Sequence, residues 1–246
     1  MKIQKIVIVG NSVALRNRPH NNLTSKNYGQ IIEKTLNEGI QNEIILVKNL
    51  AFTRATMYDL HKVYPQIINN YGDLYIVNIG TSDAATREIP RWFADFLFSN
   101  KRSFLVKALK AFHLYFIKPN RRLLVKLRGK RAWTSAKVFN QEYRKLIYEI
   151  QHNTNGKVIC LSNNLPNERV EKEVPGSYKN YQKFNSIIKS ICEDTDSIYM
   201  NLDDLDAENH YPDGTHFSEA GNQVIAERLL KIIEENKLLK FHDEKT

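Results

Sequence analysis

Cysteine is scarce in this chain, long apolar runs are missing, and one extended stretch contains no acidic side chain. Each deficit excludes something. The two cysteines, Cys160 and Cys192, fall inside apolar patterns. Buried free thiols are therefore expected rather than a disulfide or a metal site, which fits a reducing compartment. No stretch approaches the roughly 18 apolar residues of a membrane span. The opening run Ile6 to Val9, preceded by Lys2 and Lys5, ends at Gly10 and is too short for a signal peptide's apolar region. A cytoplasmic location is expected, with peripheral contact at the inner face of a membrane open to the chain's basic segment. Internal repeats and low-complexity tracts are missing too, and 246 residues suit one domain, 1–246.

The third absence explains the charge. Between Phe96 and Gln141 lie 12 of the chain's 36 basic residues and none of its 27 acidic ones, so the formal net charge of +9 is concentrated there. The remaining 24 basic residues are outnumbered by acidic ones. No recognised nucleic-acid motif accompanies this charge, which disfavours nucleic acid as partner.

Five short apolar runs end in polar or glycine punctuation: Ile3 to Val9, Ile44 to Val47, Leu74 to Ile79, Val158 to Leu161 and Ile198 to Leu202. Such runs suit strands buried on both faces. Helical spacing fills the gaps, as in Phe139, Tyr143, Leu146, Ile147 and Ile150, in Phe184, Ile187, Ile188 and Ile191, and in Ile225, Leu229 and Ile232. Strands alternating with helices predict an α/β fold, a parallel sheet covered on both faces. Its ligand crevice is expected beyond the carboxyl ends of the strands. From about 100 to 133 the alternation stops, and Leu105, Leu109, Phe112 and Phe116 give helical spacing without a strand on either side. This reads as a basic helical insertion whose first helix ends at Pro119.

The first run leads into Gly10-Asn11-Ser12, a serine in the turn after the first strand. A serine hydroxyl needs a base within hydrogen-bond reach and a third group to orient that base. Taken alone, Ser12 reads more simply as a cap of the following helix. Near the other end, Tyr211-Pro-Asp-Gly-Thr-His-Phe-Ser218 places Asp213 and His216 three residues apart before the last helix. One turn can present both, Asp213 fixing the tautomer while the other ring nitrogen faces Ser12. Taken alone, that segment equally suits an Asp-Gly turn with an incidental histidine.

Together these segments resemble the SGNH, or GDSL-like, hydrolase family. Gly10-Asn11-Ser12 matches its first block with Asn in place of Asp. Asn49-Leu-Ala-Phe-Thr-Arg54 resembles the second, with Arg54 where the family has glycine. Gly80-Thr-Ser-Asp83 resembles the third, Gly-x-Asn-Asp, with Ser82 replacing asparagine. Asp213-Gly-Thr-His216 matches the last. The resemblance implies a flavodoxin-like three-layer fold with a central five-stranded parallel sheet, and a serine esterase or O-acetyltransferase using Ser12, Asp213 and His216 without metal or cofactor. It also implies an oxyanion hole from the Ser12 N–H, the N–H at position 54 and the side chain at position 82. Arg54, Ser82, Asp83 and Arg87 are thus the expected oxyanion or substrate-binding residues, although an ion pair of Arg87 with Asp83, one helical turn away, is an equally simple use of that arginine.

Gly80-Thr-Ser-Asp-Ala-Ala-Thr-Arg87 further resembles a subgroup, Gly-x-x-Asp-Cys/Ala-x-x-Arg, associated with bacterial surface-polysaccharide assembly. That implies an acylated carbohydrate or related ester as substrate. A non-catalytic or weakly active binding protein of a membrane-surface polysaccharide assembly system is the rival, motivated by the altered oxyanion positions. The basic segment, residues 101–137, suits a lid over the crevice, an anionic membrane surface or a polyanion.

Overall fold

The computed structural model describes residues 2–15, 26–38, 43–99 and 103–240. All five expected strands form: β1 (Lys2–Gly10), β2 (Glu43–Ala51), β3 (Leu74–Asn78), β4 (Lys157–Leu161) and β5 (Ser197–Met200). They pair in parallel in the order β2-β1-β3-β4-β5, the flavodoxin-like arrangement. β2 runs four residues beyond the apolar run that announces it, whereas β5 stops two short.

Alternation along the strands sorts the core into two layers. Val7, Val9, Tyr75, Val77, Val158 and Cys160 face one side, under α2 (Met57–His61), α3 (Tyr64–Ile68), α8 (Ala136–Asn153) and α10 (Ser177–Asp194). Ile6, Ile8, Leu74, Ile76, Ile159 and Leu161 face the other, under α1 (Tyr28–Asn37) and α12 (Glu219–Glu235). The α8 stripe is buried at all five expected positions, while α12 buries Ile233 fully and packs Ile232 only partly against the same layer. Each fully buried aliphatic side chain contributes about 1.5–3 kcal/mol, so this double core dominates the stability. Cys160 and Cys192 are free thiols inside the first layer.

Shorter helices line the upper edge: α4 (Thr81–Ala84), α5 (Arg91–Leu97), α9 (Glu168–Glu173) and α11 (Ala207–His210). The insertion forms α6 (Phe104–Phe112), a π-helical turn (His113–Ile117) and α7 (Arg121–Leu127); its first residues, 100–102, lie outside the described ones. The π turn closes through Lys118 N–H donating to the His113 carbonyl at 2.8 Å, just before Pro119. The extra residue in that turn rotates α7 off the period of α6. The expected stripe is accordingly split. Leu109 packs with Ile117 and Trp133 on the small cluster Ile89, Ala94 and Leu97, but Leu105, Phe112 and Phe116 are exposed, and the buried positions are Val106 and Val125.

Candidate active site

The crevice opens at the carboxyl edge of the sheet, where the chain leaves β1 for β2 on one side and returns to β3 on the other. Parallel sheets bind ligands at such a switch. The crevice encloses about 810 Å³ and is lined by Ser12, Thr81, Ser82 and Tyr181, by the Asp213–His216 loop, and by a wall of cationic side chains.

Ser12 begins a single 3-10 turn, Ser12–Ala14. The cap is Asn11, whose Oδ1 accepts from Val13 N–H at 3.2 Å, so Ser12 is not used as one. Asn49 Nδ2 and Asn27 Nδ2 both donate to the Ala14 carbonyl, at 2.7 and 3.2 Å, and Asn11 N–H donates to the Asn78 carbonyl. The serine turn is therefore bolted to β2, β3 and the start of α1. Sequence reasoning missed these braces. Their signal is an asparagine at or beside the carboxyl end of every strand: Asn11, Asn49, Asn78, Asn163 and Asn201.

The second half of the constellation is a tight loop. Gly214 takes φ +78°, and a Cβ there would stand 2.6 Å from Asn167 Oδ1, so only glycine fits without strain. Asp213 Oδ1 accepts from the N–H groups of Thr215 and His216 at 2.8 and 2.6 Å, and its Oδ2 lies 2.7 Å from His216 Nδ1. Burial alone raises the Asp213 pKa, but the side-chain bond to His216 and these backbone donors outweigh it and hold the pKa at about 2. The carboxylate is then an acceptor only, so Nδ1 carries the proton of that bond and Nε2 presents its lone pair. His216 Nε2 lies 3.1 Å from Ser12 Oγ. From outside, Asn164 Nδ2 donates to the Thr215 carbonyl at 3.2 Å and Arg169 donates to that of Asp213 at 2.7 Å.

The remaining expected residues separate. Arg54 lines the crevice in the left-handed region, φ +59°, a conformation glycine adopts freely and other residues at a cost of about 1–2 kcal/mol. The backbone at this position thus keeps a glycine-like shape while carrying a guanidinium, which stacks on Phe98 with Cζ 3.7 Å from the ring centre. Ser82 is buried and lines the crevice. Asp83 does not reach it: fully buried, it accepts from Met57 N–H at 3.1 Å and from Thr134 Oγ1 at 2.5 Å. Burial pushes its pKa up to about 7, against the lowering effect of those donors. No ion pair joins Asp83 to Arg87 among the described residues; Arg87 turns into the crevice instead, its Cζ 4.3 Å from the Trp133 ring centre. Tyr181, also missed, donates to the Thr81 carbonyl at 3.2 Å beneath the same wall. Among the described residues no cluster of three or more His, Cys, Asp or Glu is arranged to hold a metal ion.

No family model and no curated protein matches the sequence. Solved structures do match the fold. An acetylxylan esterase from Geobacillus stearothermophilus is 16% identical, with 93% of each chain covered and a TM-score of 0.62. A lipase/acylhydrolase from Enterococcus faecalis is 14% identical over 95% of this chain and 96% of its own, with a TM-score of 0.63. Likeness at this level shows a shared fold, the α/β sandwich with a five-stranded parallel sheet. Catalytic mutants of the Geobacillus esterase replace a serine, an aspartate and a histidine, the last two three positions apart in that chain.

Proposed function

We propose that this chain is an SGNH-type serine esterase or O-acyltransferase acting on an acylated carbohydrate through an acyl-enzyme on Ser12. The observation that carries the reading is the continuous chain Ser12 Oγ, His216 Nε2, His216 Nδ1, Asp213 Oδ2, with separations of 3.1 and 2.7 Å at the switch point of the sheet. Its order and spacing are those a nucleophile, a general base and an orienting carboxylate require. His216 takes the Ser12 proton as Oγ bonds to the ester carbonyl carbon. The carbonyl reforms as the C–O bond to the sugar breaks, and His216 returns the proton to the departing alkoxide. Water or another hydroxyl then repeats the sequence in reverse and frees Ser12.

For the oxyanion, the Ser12 and Arg54 N–H groups donate to no acceptor among the described residues and both residues line the crevice. A glycine-like backbone at Arg54 keeps the second donor available, and the Ser82 hydroxyl supplies a third in place of an amide. The carbohydrate substrate is supported by the surface-polysaccharide resemblance of the Gly80 to Arg87 block and by a structural neighbour described as an acetyl-xylooligosaccharide esterase. The test is covalent labelling by an active-site phosphonate, followed by a turnover screen on acetylated sugars. Labelling of the wild type that is lost in Ser12→Ala supports the reading; a wild type that stays unlabelled, or equal labelling of both proteins, overturns it.

A second reading, a component held at a membrane surface, is favoured by one observation. Phe104, Leu105, Phe112, Leu114, Tyr115, Phe116, Leu123 and Leu127 are all exposed within α6, the π turn and α7, among Lys107, Lys110, Lys118, Arg122 and Lys126 and without an acidic residue. A face that is both apolar and cationic suits an interfacial helix on anionic lipid, where each basic residue contributes about 1 kcal/mol. No described helix is long and apolar enough to cross a membrane. Flotation with phosphatidylglycerol vesicles, absent with phosphatidylcholine alone and lost in the Tyr115→Asp/Leu127→Asp variant, is the expected result. Equal flotation of that variant assigns lipid contact elsewhere.

A further inference from the structure

The crevice beside Ser12 carries more positive charge than its own carboxylates neutralise. Five cationic residues line it, Arg54, Arg87, Lys118, Arg121 and Arg169, against two carboxylates, Glu173 and Asp213. Both carboxylates are engaged: Glu173 pairs with Arg121 at 2.8 Å, and Asp213 holds His216. Arg54 and Arg87 have no carboxylate within ion-pair distance among the described residues. Arg54 is exposed, but Arg87 is half-buried with its Nε out of contact with water, and an unpaired guanidinium so placed is costly because it stays charged while losing hydration.

Arg87 is the more informative of the two. Its Nε is buried without any hydrogen-bond partner, and Nη2 reaches only the Ser82 carbonyl at a long 3.5 Å. Its backbone is clamped on three sides. Arg87 N–H donates to the Arg131 carbonyl, Arg128 Nη1 donates to the Arg87 carbonyl at 2.8 Å, and the preceding Thr86 bonds Val174 and Ser177. With the Trp133 ring against its Cζ, the guanidinium is held in place at the crevice lining that also includes Ser12. Burial lowers its proton affinity; Tyr181 and Glu88 raise it in part, and the like charges of Arg121 and Arg54 lower it again. Arg54, held in the left-handed region and stacked on Phe98, is a second cation fixed at a conformational cost. A pre-positioned pair of this kind lacks only an acceptor with several oxygens, which guanidinium groups bind through two parallel N–H donors.

We propose that the crevice is a two-part site in which Arg87, with Arg54 as second donor, binds an anionic oxygen-bearing group, a phosphate or a carboxylate, carried by the same substrate whose ester meets Ser12. The substrate class is thereby narrowed to acylated sugars that bear a negative charge. This deepens the acyl-transfer reading and rests on it for the ester half alone, since anion binding needs no turnover.

The experiment uses full-length Ser12→Ala protein, in which no ester is consumed. Its melting temperature is measured with inorganic phosphate and, separately, with glucuronate, each against chloride at equal ionic strength. A ligand that binds only the folded chain raises that temperature. The expected result is a rise with at least one of the two anions, phosphate or carboxylate chemistry being told apart by which one acts. Adding Arg87→Gln weakens that anion by about tenfold or more, the loss of a charge-assisted bidentate contact. Arg54→Gly, which suits the local backbone and so folds, weakens it several-fold. No rise with either anion, or the same rise in all three proteins, overturns the proposal. In the Ser12 protein, Arg87→Gln lowers the ratio of kcat/KM for an acetylated glucuronate ester over a neutral acetate ester by about the same factor. An equal loss on both esters overturns it, because Arg87 would then serve the reacting carbonyl. Phosphonate labelling without anion binding leaves the esterase and removes the subsite; anion binding without labelling does the reverse.

Discussion

The two walls of the crevice are built on opposite plans. Around Ser12 and the Asp213–His216 loop the side chains are tied to the backbone around them: Asn49 and Asn27 to Ala14, Asn164 to Thr215, Arg169 to Asp213. Across the gap, Arg54 stacks on Phe98 and Arg87 on Trp133, Arg87 is also clamped through its backbone, and neither has a carboxylate within ion-pair distance among the described residues. Closed hydrogen-bond networks hold atoms where proton transfer needs them; uncompensated cations are useful only toward something that arrives. The first wall is suited to chemistry and the second to selection.

Changes at the first wall should separate the two most strongly. Ser12→Ala or His216→Ala should lower kcat by roughly 10⁴-fold or more and leave the melting temperature within a few degrees, measured by ester turnover and thermal unfolding. Comparable turnover in either variant would erase the division between the walls. Between the walls, Ser82→Ala should lower kcat by about a hundred- to a thousandfold with little change in KM, as loss of one oxyanion donor does. A change in KM alone would move Ser82 to the selecting wall. Behind the nucleophile, Asn49→Ala removes a donor to the Ala14 carbonyl and should cost about 1–2 kcal/mol in urea unfolding, with a larger proportional loss of kcat than of KM.

The smallest effect concerns Asp83, which lies behind both walls. Its pKa in the folded chain, about 7, is above that of an exposed aspartate. Folding therefore favours its protonated form, and the stability it supplies is present below about pH 4 and lost as pH rises through 7. Asp83→Asn should flatten the decline in melting temperature between about pH 4 and 7. The carboxylate at Asp213 has the opposite sign, its contribution being lost only as pH falls from about 4 through 2. A pH profile of the variant that matches the wild type would remove Asp83 as the source of the neutral-range slope.

Much of the molecule could be read from the chain. The strands were legible because apolar runs with polar punctuation have few other uses in a chain of this size, and α8 because its five apolar positions bury together. Ser12, Asp213 and His216 were legible as a spacing, and the folded chain brings them within hydrogen-bond reach. Asp83 was misplaced because α4 has only four residues, and a neighbour of Ser82 in such a short helix need not share its direction. The direction of Arg87 was undecidable from spacing, since a partner one turn away is an invitation and not a contact. In the insertion, an apolar period finds a face but not which way it looks, and the π turn at His113–Ile117 breaks the period itself. The asparagine braces were overlooked because they act on backbone carbonyls, so their only trace in the chain is the recurrence of asparagine within two residues of each strand's carboxyl end.

Within that insertion, Lys118 and Arg121 belong to the crevice lining, while Tyr115, Phe116 and Leu123, a few residues away on the same segment, are exposed. The mouth of the site and the apolar face are thus parts of a single short stretch of backbone. Were that face on lipid and the substrate carried in the same lipid, encounters at Ser12 would be counted per unit of area rather than per unit of volume. Diluting such a substrate with inert lipid would then slow turnover, whereas adding water to vesicles that retain the protein would not.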